Sequence, residues 1–178
     1  MLKKLTVDQF DQIHHIMEQS FPRDERRPRE EQLALFEKEN YHVFGMTDQN
    51  GCVIALIAVW DLQTVVFVEH FAVSPDHRNG GLGSRLLQDL IHTLEVPLCL
   101  EVELPETEMA RRRIGFYERN GFFYNDYPYM QPPLSKGQAC VPLRIMTTSS
   151  PLSAERFKEL KKLLHARIYD YEEQGEKT

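Results

Sequence analysis

The chain has 178 residues, of which 42% are hydrophobic and 27% are charged, and its formal net charge is −6. This length suits one domain with a sizeable core, and the acidic balance disfavours nucleic acid as the main partner. No apolar run approaches the roughly 18 residues of a membrane span, and residues 1–4 lead into polar sequence rather than an apolar signal core. We therefore expect a cytoplasmic protein that binds neither nucleic acid nor a membrane.

The first half of the chain predicts helices followed by a run of strands. Residues 41–47 and 52–60 are apolar runs on either side of Asn50-Gly51, a strong hairpin signal, and residues 65–73 form a third strand. Three consecutive antiparallel strands are expected. Upstream of them the pattern predicts an edge strand in residues 1–6, a helix over 7–20, a loop over 21–28 and a second helix beginning at Pro28.

The second half alternates helices with strands. A strand over 97–104 should pair in parallel with 65–73, because strand–helix–strand units cross over in that way. Residues 125–137 contain three prolines and are predicted as a long loop, and Pro142 indicates that the last strand is an edge or carries a bulge. The remaining elements are a helix from Leu82, a helix over 107–120 closed by Gly121, a strand from 122, a strand over 140–147 and a helix over 153–171.

Three cysteines, Cys52, Cys99 and Cys140, lie within or at the edge of apolar stretches and lack C-x-x-C spacing. They are predicted to be core thiols rather than disulfide partners or zinc ligands, and no metal site is expected. Their odd number fits a reducing compartment.

A glycine-rich turn, Arg78-Asn79-Gly80-Gly81-Leu82-Gly83, joins the strand over 65–73 to the next helix. The first amides of a helix have no intrahelical partner, and the helix dipole adds partial positive charge there. Such a turn is typical of a phosphate site, although glycines here can also serve a tight turn alone.

The spacing Arg78-x-x-Gly81-x-Gly83, directly after a strand that ends Phe-Ala-Val-Ser-Pro, resembles the acyl-CoA signature of the GNAT superfamily of N-acetyltransferases. The resemblance implies an α/β (α+β) fold with a mixed, centrally splayed β-sheet flanked by helices, here with an extra C-terminal helix. It also implies acetyl-CoA as the acetyl donor. The residues assigned to its binding are Phe71, Ala72, Val73, Arg78, Asn79, Gly80, Gly81, Leu82, Gly83 and Ser84.

A second stretch, Ile114-Gly115-Phe116-Tyr117-Glu118-Arg119-Asn120-Gly121-Phe122, resembles the family's tyrosine segment. The resemblance implies that Tyr117 donates a proton to the leaving thiolate, which a phenol can do because its pKa, about 10, exceeds that of a thiol, about 8.5. The chain departs from the family where Asn and Ala are common before the tyrosine, since it has Ala110 and Arg113 there.

Transfer to an amine also needs a base, because the ammonium must lose a proton before it attacks. Glu69 is the first candidate, since it lies among apolar residues where burial would raise its carboxyl pKa. His70, Glu101 and Glu103 are the alternatives, and a chain of waters could replace any single base. Negative charge on the carbonyl oxygen would be met by a backbone amide near residues 71–73.

These features predict an acetyltransferase that transfers an acetyl group directly to a primary amine on a small molecule or a peptide. Asp24 and Glu25, in the loop that borders the acceptor pocket in GNAT proteins, and Glu69 would favour a cationic acceptor. The alternative is a non-catalytic acyl-CoA sensor. We expect a transferase domain over 1–148 and a helical extension over 149–178 that packs on the same domain or on a partner subunit, as in a homodimer.

Overall fold

One sheet organises the chain, which is described here by a computed structural model over residues 1–134, 137 and 139–171, apart from the side chain of Asp24. In that part of the chain, seven strands form the sheet in the order β1-β2-β3-β4-β5-β7-β6, and every neighbouring pair is antiparallel except the parallel pair β4–β5. The strands are β1 (Lys3–Leu5), β2 (Tyr41–Thr47), β3 (Val53–Asp61), β4 (Val66–Val73), β5 (Leu98–Glu103), β6 (Phe123–Gln131) and β7 (Val141–Thr147).

Helices cover both faces of this sheet. They are α1 (Phe10–Ser20), α2 (Arg29–Ala34), α3 (Leu82–Thr93), α4 (Glu108–Arg119) and α5 (Ala154–Ile168). On one face, α1 and α5 contribute Ile13, Leu160 and Leu164 to a core with Phe67 of β4. On the other face, Leu86 of α3 and Ile114 of α4 pack against the sheet. The mixed, helix-flanked fold predicted from the sequence is confirmed.

The two central strands separate part of the way along the sheet. Strands β4 and β5 pair only over Val66–Val68 with Leu98–Leu100. Beyond that point β4 stays paired with β3 up to Val73, and β5 stays paired with β7 up to Glu103. The parallel pairing and the central splay predicted above are therefore both present, and a gap opens between the strands.

The separation coincides with a β-bulge in β4. His70 lies opposite Ala58 and Val68 lies opposite Val59, so Glu69 is the extra residue with no partner on β3. A bulge of this kind disrupts the ladder and re-aims the residues that follow it.

The C-terminal helix packs on the same sheet. Ser153 caps α5 by accepting a hydrogen bond from the amide of Arg156, and the ring of Phe157 stacks on that of Tyr127 with centroids 4.8 Å apart. With Leu160 and Leu164 buried as well, α5 adds a whole apolar face to the core. Residues 172–178 lie outside the described residues.

Two predictions about the last strands are wrong. The expected loop over 125–137 is β6 as far as Gln131, with its irregular register between Asn125 and Tyr129, where Pro128 lies. Strand β7 lies between β5 and β6 rather than at an edge, and the irregular register of the β6–β7 pair falls in β6, between Asn125 and Tyr129, rather than at Pro142. It tolerates Pro142 because that residue lies beyond Leu143, the last residue that pairs with β5.

The prediction that all three cysteines are core thiols is also wrong. Cys99 on β5 is fully buried, whereas Cys52 and Cys140 are exposed. Cys52 and Cys140 precede β3 and β7, respectively, so an apolar run adjacent in sequence did not carry them into the core.

Candidate functional site

The gap between β4 and β5 forms a cleft of about 850 Å³. It is lined by residues of β4 and β5, by the segment that follows β6 (Pro132, Pro133, Leu134, Gly137 and Ala139) and by the end of α5. Tyr117 of α4 and Arg78 of the glycine-rich turn line it as well. The cleft therefore joins both motifs singled out in the sequence to residues from the C-terminal half of the chain.

Backbone amides of β4 face this gap. The amide of Val66, before the bulge, donates to the Pro97 carbonyl on the β5 side, whereas the amide of Ser74, after it, donates to the Ile54 carbonyl on the β3 side. Because successive backbone amides of a strand point alternately toward its two neighbouring strands, one extra residue at the bulge reverses which amides point toward β5. The amides of Phe71 and Val73 consequently point into the cleft, where a carbonyl oxygen could accept from them.

The glycine-rich turn has the backbone that an anion site needs. Asn79 and Gly81 have φ values of 68° and 73°, and Gly81 is the left-handed N-cap of α3. A Cβ at Gly80 or Gly81 would meet nothing within 4 Å, so the turn is open on its outer side. The free amides at the start of α3 therefore face open space at one end of the cleft.

Side chains around the turn hold it in place. Arg78 Nε donates to the Val73 carbonyl over 3.0 Å. A Cβ at Gly83 would lie 3.2 Å from Cζ of Phe71, so the first turn of α3 packs closely on β4. Ser84 Oγ accepts a hydrogen bond from Asn120 Nδ2 over 3.3 Å, which ties α3 to the end of α4.

Tyr117 lies in α4 with its ring 6.5 Å from that of Phe71, centroid to centroid. It is 8% exposed, and burial raises its pKa to about 12, against a small opposing effect of Arg113. The phenol is therefore protonated at neutral pH and lines the cleft. Arg113, a departure from the family pattern, points to Glu103 with 3.2 Å between Nη1 and Oε2.

Glu69 is not the raised-pKa carboxyl predicted from its apolar neighbours. Burial by itself would raise its pKa, but Arg27 Nη2 lies 2.7 Å from Oε1, and the contacts with Arg27 and His70 hold the pKa below its ordinary value. The side chains of Glu69 and Arg27 are 4% and 9% exposed. A base role for Glu69 stays a prediction, without the pKa argument that supported it.

Glu101 has the property that was expected of Glu69. Burial raises its pKa to about 7, while hydrogen bonds from Tyr129, Tyr169 and Gln131 act in the opposite direction. Tyr129 donates to Oε1 over 2.5 Å, and Tyr169 and Gln131 donate to Oε2 over 2.7 and 2.8 Å. A carboxyl with this pKa exchanges its proton near neutral pH.

The other predicted polar residues surround the bulge. His70 Nε2 donates to the Glu25 carbonyl over 3.0 Å, and its Nδ1 lies 3.5 Å from Glu69 Oε2. Glu25 lines the cleft, whereas the side chain of Asp24 lies outside the described residues.

Four residues of the site were missed in the sequence: Arg27, Tyr129, Gln131 and Tyr169. Arg27 lay in the loop predicted over 21–28, and Tyr129 and Gln131 fell in the loop that was wrongly predicted over 125–137. Tyr169 lies at the C-terminal end of α5, within the helix predicted over 153–171, where nothing in the pattern marked it as a site residue. Each reaches the site through tertiary contacts, so local spacing carries no signal for it.

The described part of the chain contains neither a membrane-spanning helix nor a metal-binding cluster. None of its helices combines the length and apolarity needed to cross a membrane. Within the same residues, no three His, Cys, Asp or Glu side chains cluster in a way that suits a metal ion.

Comparison with known proteins agrees with this architecture. The model of the acetyltransferase (GNAT) family matches residues 10–122. A GNAT-family acetyltransferase structure from Bacteroides thetaiotaomicron is 34% identical, with a TM-score of 0.88 over 97% of this chain and 99% of that one. A search of the curated proteins found no match. The chain belongs to the GNAT acetyltransferase family.

More distant structures share the fold. The ribosomal-protein-S18-alanine N-acetyltransferase from Escherichia coli is 24% identical, with a TM-score of 0.65 over 87% of this chain and 96% of that one. A phosphinothricin acetyltransferase from Sinorhizobium meliloti, in complex with AcCoA, is 15% identical, with a TM-score of 0.61 over 86% and 94%. At these identities the likeness extends to the fold alone.

Proposed function

We propose that the protein is an acetyl-CoA-dependent N-acetyltransferase that transfers the acetyl group directly to a primary amine within a ternary complex. The observation that carries this proposal is the composition of the cleft. Inward-facing amides of β4, the protonated Tyr117 and the near-neutral Glu101 line one continuous gap that begins at the glycine-rich turn.

The turn fits the phosphates of acetyl-CoA. Its outer side is open at Gly80 and Gly81, and free amides of α3 face that space. Residues 78–84 would hold the pyrophosphate, and the amides of Phe71 and Val73 would hold the acyl end. Bound there, acetyl-CoA would supply an acetyl group activated as a thioester.

Proton transfer is assigned to two side chains of the cleft. Glu101, with a pKa of about 7, accepts the proton that the acceptor ammonium must lose. Tyr117 holds a proton at its hydroxyl, which it gives to the sulfur that leaves. The amides of Phe71 and Val73 stabilise negative charge that develops on the carbonyl oxygen.

The acceptor is a primary amine on a small molecule or a peptide. Arg27 neutralises Glu69, so the charge that would attract a cationic amine comes from Glu101 instead. The named relatives acetylate acceptors as different as a ribosomal-protein alanine and phosphinothricin, which is why amines should be screened broadly.

Binding and turnover test the proposal in turn. Acetyl-CoA and CoA should raise the unfolding midpoint, while ATP and NAD should not, because only a ligand of the native state stabilises it. Amines of several classes are then screened for release of free thiol from acetyl-CoA. Tyr117→Phe should lower kcat about 10²-fold while the midpoint shift with CoA persists.

The matched control is Tyr124→Phe, which changes a tyrosine outside the cleft and should keep full turnover. Unchanged turnover in Tyr117→Phe would refute its role as the acid.

A second candidate function, an acyl-CoA sensor, is motivated by Ala110 and Arg113 in place of the family's usual residues. A midpoint shift with CoA but no thiol release with any amine would favour it.

A further inference from the structure

The C-terminal end of α5 reaches into the cleft. Tyr169, the residue directly after Ile168, donates its hydroxyl hydrogen to Oε2 of Glu101 over 2.7 Å. Glu101 lies 68 positions earlier in the chain, on β5 at the centre of the sheet. A helix beyond residues 10–122, the part that the family model matches, thus supplies a direct partner to the proposed base.

Tyr169 is one of three side chains that donate hydrogen bonds to the carboxylate of Glu101. Gln131 Nε2 donates to the Tyr169 hydroxyl over 2.9 Å and to Glu101 Oε2 over 2.8 Å. Tyr129 donates to the other carboxylate oxygen, Oε1. Because the Tyr169 oxygen accepts from Gln131, its own hydrogen is directed at Glu101, and all three groups favour the carboxylate form.

The set leaves room for one more donor. A carboxylate has about four lone-pair positions, and the described residues use three of them, two on Oε2 and one on Oε1. The remaining position is on Oε1. Since Glu101 lines the cleft, an amine hydrogen of the acceptor can occupy it.

Other groups face Glu101 from the surrounding elements. Glu69 faces it from β4 and raises its pKa, and the cross-strand neighbour on β7 is the apolar Ile145. From α5, the ring of His165 packs against that of Tyr129, with centroids 5.4 Å apart, and its Nε2 donates a hydrogen bond to the Met130 carbonyl. The nearest direct contacts of the carboxyl are therefore neutral donors, and Tyr169 is the one that α5 adds.

The position of Tyr169 does not depend on this contact. Helix α5 is held by its Ser153 cap and by buried Phe157 and Leu164. The hydroxyl of Tyr169 therefore acts on the carboxyl from an element that is already anchored.

We propose that Tyr169 is a positioning residue for acetyl transfer, which holds Glu101 with a single open acceptor position for the incoming amine. The C-terminal helix is then part of the acceptor site. This inference rests on the proposed function, in which Glu101 takes the proton from the acceptor ammonium.

The test measures the titration of the Glu101 carboxyl directly. Protein labelled with ¹³C at the glutamate carboxyl is titrated by NMR, and the Glu101 signal is identified by its loss in Glu101→Gln. Tyr169→Phe removes a donor that favours the charged form, so the titration should move upward by about one pH unit. The acidic limb of kcat/KM should move upward by a similar amount.

Tyr127→Phe is the matched control. Its hydroxyl donates to the Leu152 carbonyl at the same β6–α5 contact but away from Glu101. It should lower the unfolding midpoint without moving the Glu101 titration, which separates positioning from a general loss of packing.

Two results would overturn the inference: a Glu101 titration in Tyr169→Phe that matches the wild type, or an equal movement in Tyr127→Phe. Failure of the proposed function has a different signature. If the wild-type protein releases no thiol with any amine, the transferase is refuted, while the titration still decides whether Tyr169 holds Glu101.

Discussion

Glu69 and Glu101 line the same cleft from neighbouring strands, but they are held by different partners. Glu69 lies 2.7 Å from the guanidinium of Arg27, whereas Glu101 is held by two phenols and an amide. At Glu69, Arg27 and His70 together outweigh the effect of burial and lower the carboxyl pKa, whereas at Glu101 the neutral donors offset burial only in part. Burial therefore does not decide which carboxylate is basic enough to take a proton; the partner contributed by a distant segment does.

The largest test of this contrast replaces each carboxylate by its amide. Glu101→Gln should lower kcat/KM by about 10²-fold or more, because it removes the group that accepts the proton. Glu69→Gln should lower it by less than about tenfold, because a carboxylate with a depressed pKa is a weak base. Both are measured as thiol release at one pH with saturating acetyl-CoA. The reverse order would assign the base to Glu69.

A second test concerns Arg27, the cation that makes the pKa of Glu69 differ from that of Glu101. Arg27→Ala leaves Glu69 buried without its partner and should lower the free energy of unfolding by about 3–5 kcal/mol. Arg113→Ala, which breaks the exposed pair with Glu103, should cost at most about 1 kcal/mol. Urea unfolding at neutral pH measures both.

The double variant Arg27→Ala/Glu69→Gln sharpens this test. It removes the unpaired charge and should recover part of the loss seen in Arg27→Ala. Equal losses in Arg27→Ala and Arg113→Ala would show that the Glu69 pair contributes no more than a surface contact.

The smallest effect is on the pH dependence of stability. The pKa of Glu101 is about 7 in the folded state against an ordinary 4.5, so the folded state binds more protons between these values. Its contribution is complete below pH 4.5 and is lost as the pH rises through about 7, by at most about 1.4 kcal/mol per pH unit. Glu101→Gln should flatten this decline in unfolding free energies measured between pH 4.5 and 7.

Glu69 should behave in the opposite sense. Its folded-state pKa is depressed, so its contribution is present above the ordinary value of 4.5 and is lost as the pH falls further. Glu69→Gln should flatten only that acid limb. If the two substitutions flatten the same pH range, the contrast between the carboxylates is wrong.

The glycine-rich turn of the site was largely predictable, because it is built from local backbone. The glycines of residues 80–83 and the strand before them predicted a strand–turn–helix unit, and Gly81 has the left-handed backbone that such a turn needs. Strand order up to β5 followed in the same way, from turn signals and from the crossover rule for parallel strands.

The surroundings of Glu69 and Glu101 were not predictable, because the contacts that hold them join segments far apart in the sequence. Arg27 meets Glu69 across 42 positions, and Tyr169 meets Glu101 across 68. Even the length of β6 was misjudged, since the three prolines of residues 125–137 argue locally for a loop while pairing with β7 carries the strand on to Gln131.

By itself the sequence determined where the backbone turns and which of the strands up to β5 pair, since glycine conformation and apolar periodicity act over a few residues. Only the tertiary structure decided the protonation of the cleft. A carboxyl pKa depends on the groups within a few ångströms, and here Arg27, Tyr129, Gln131 and Tyr169 come from three separate parts of the chain.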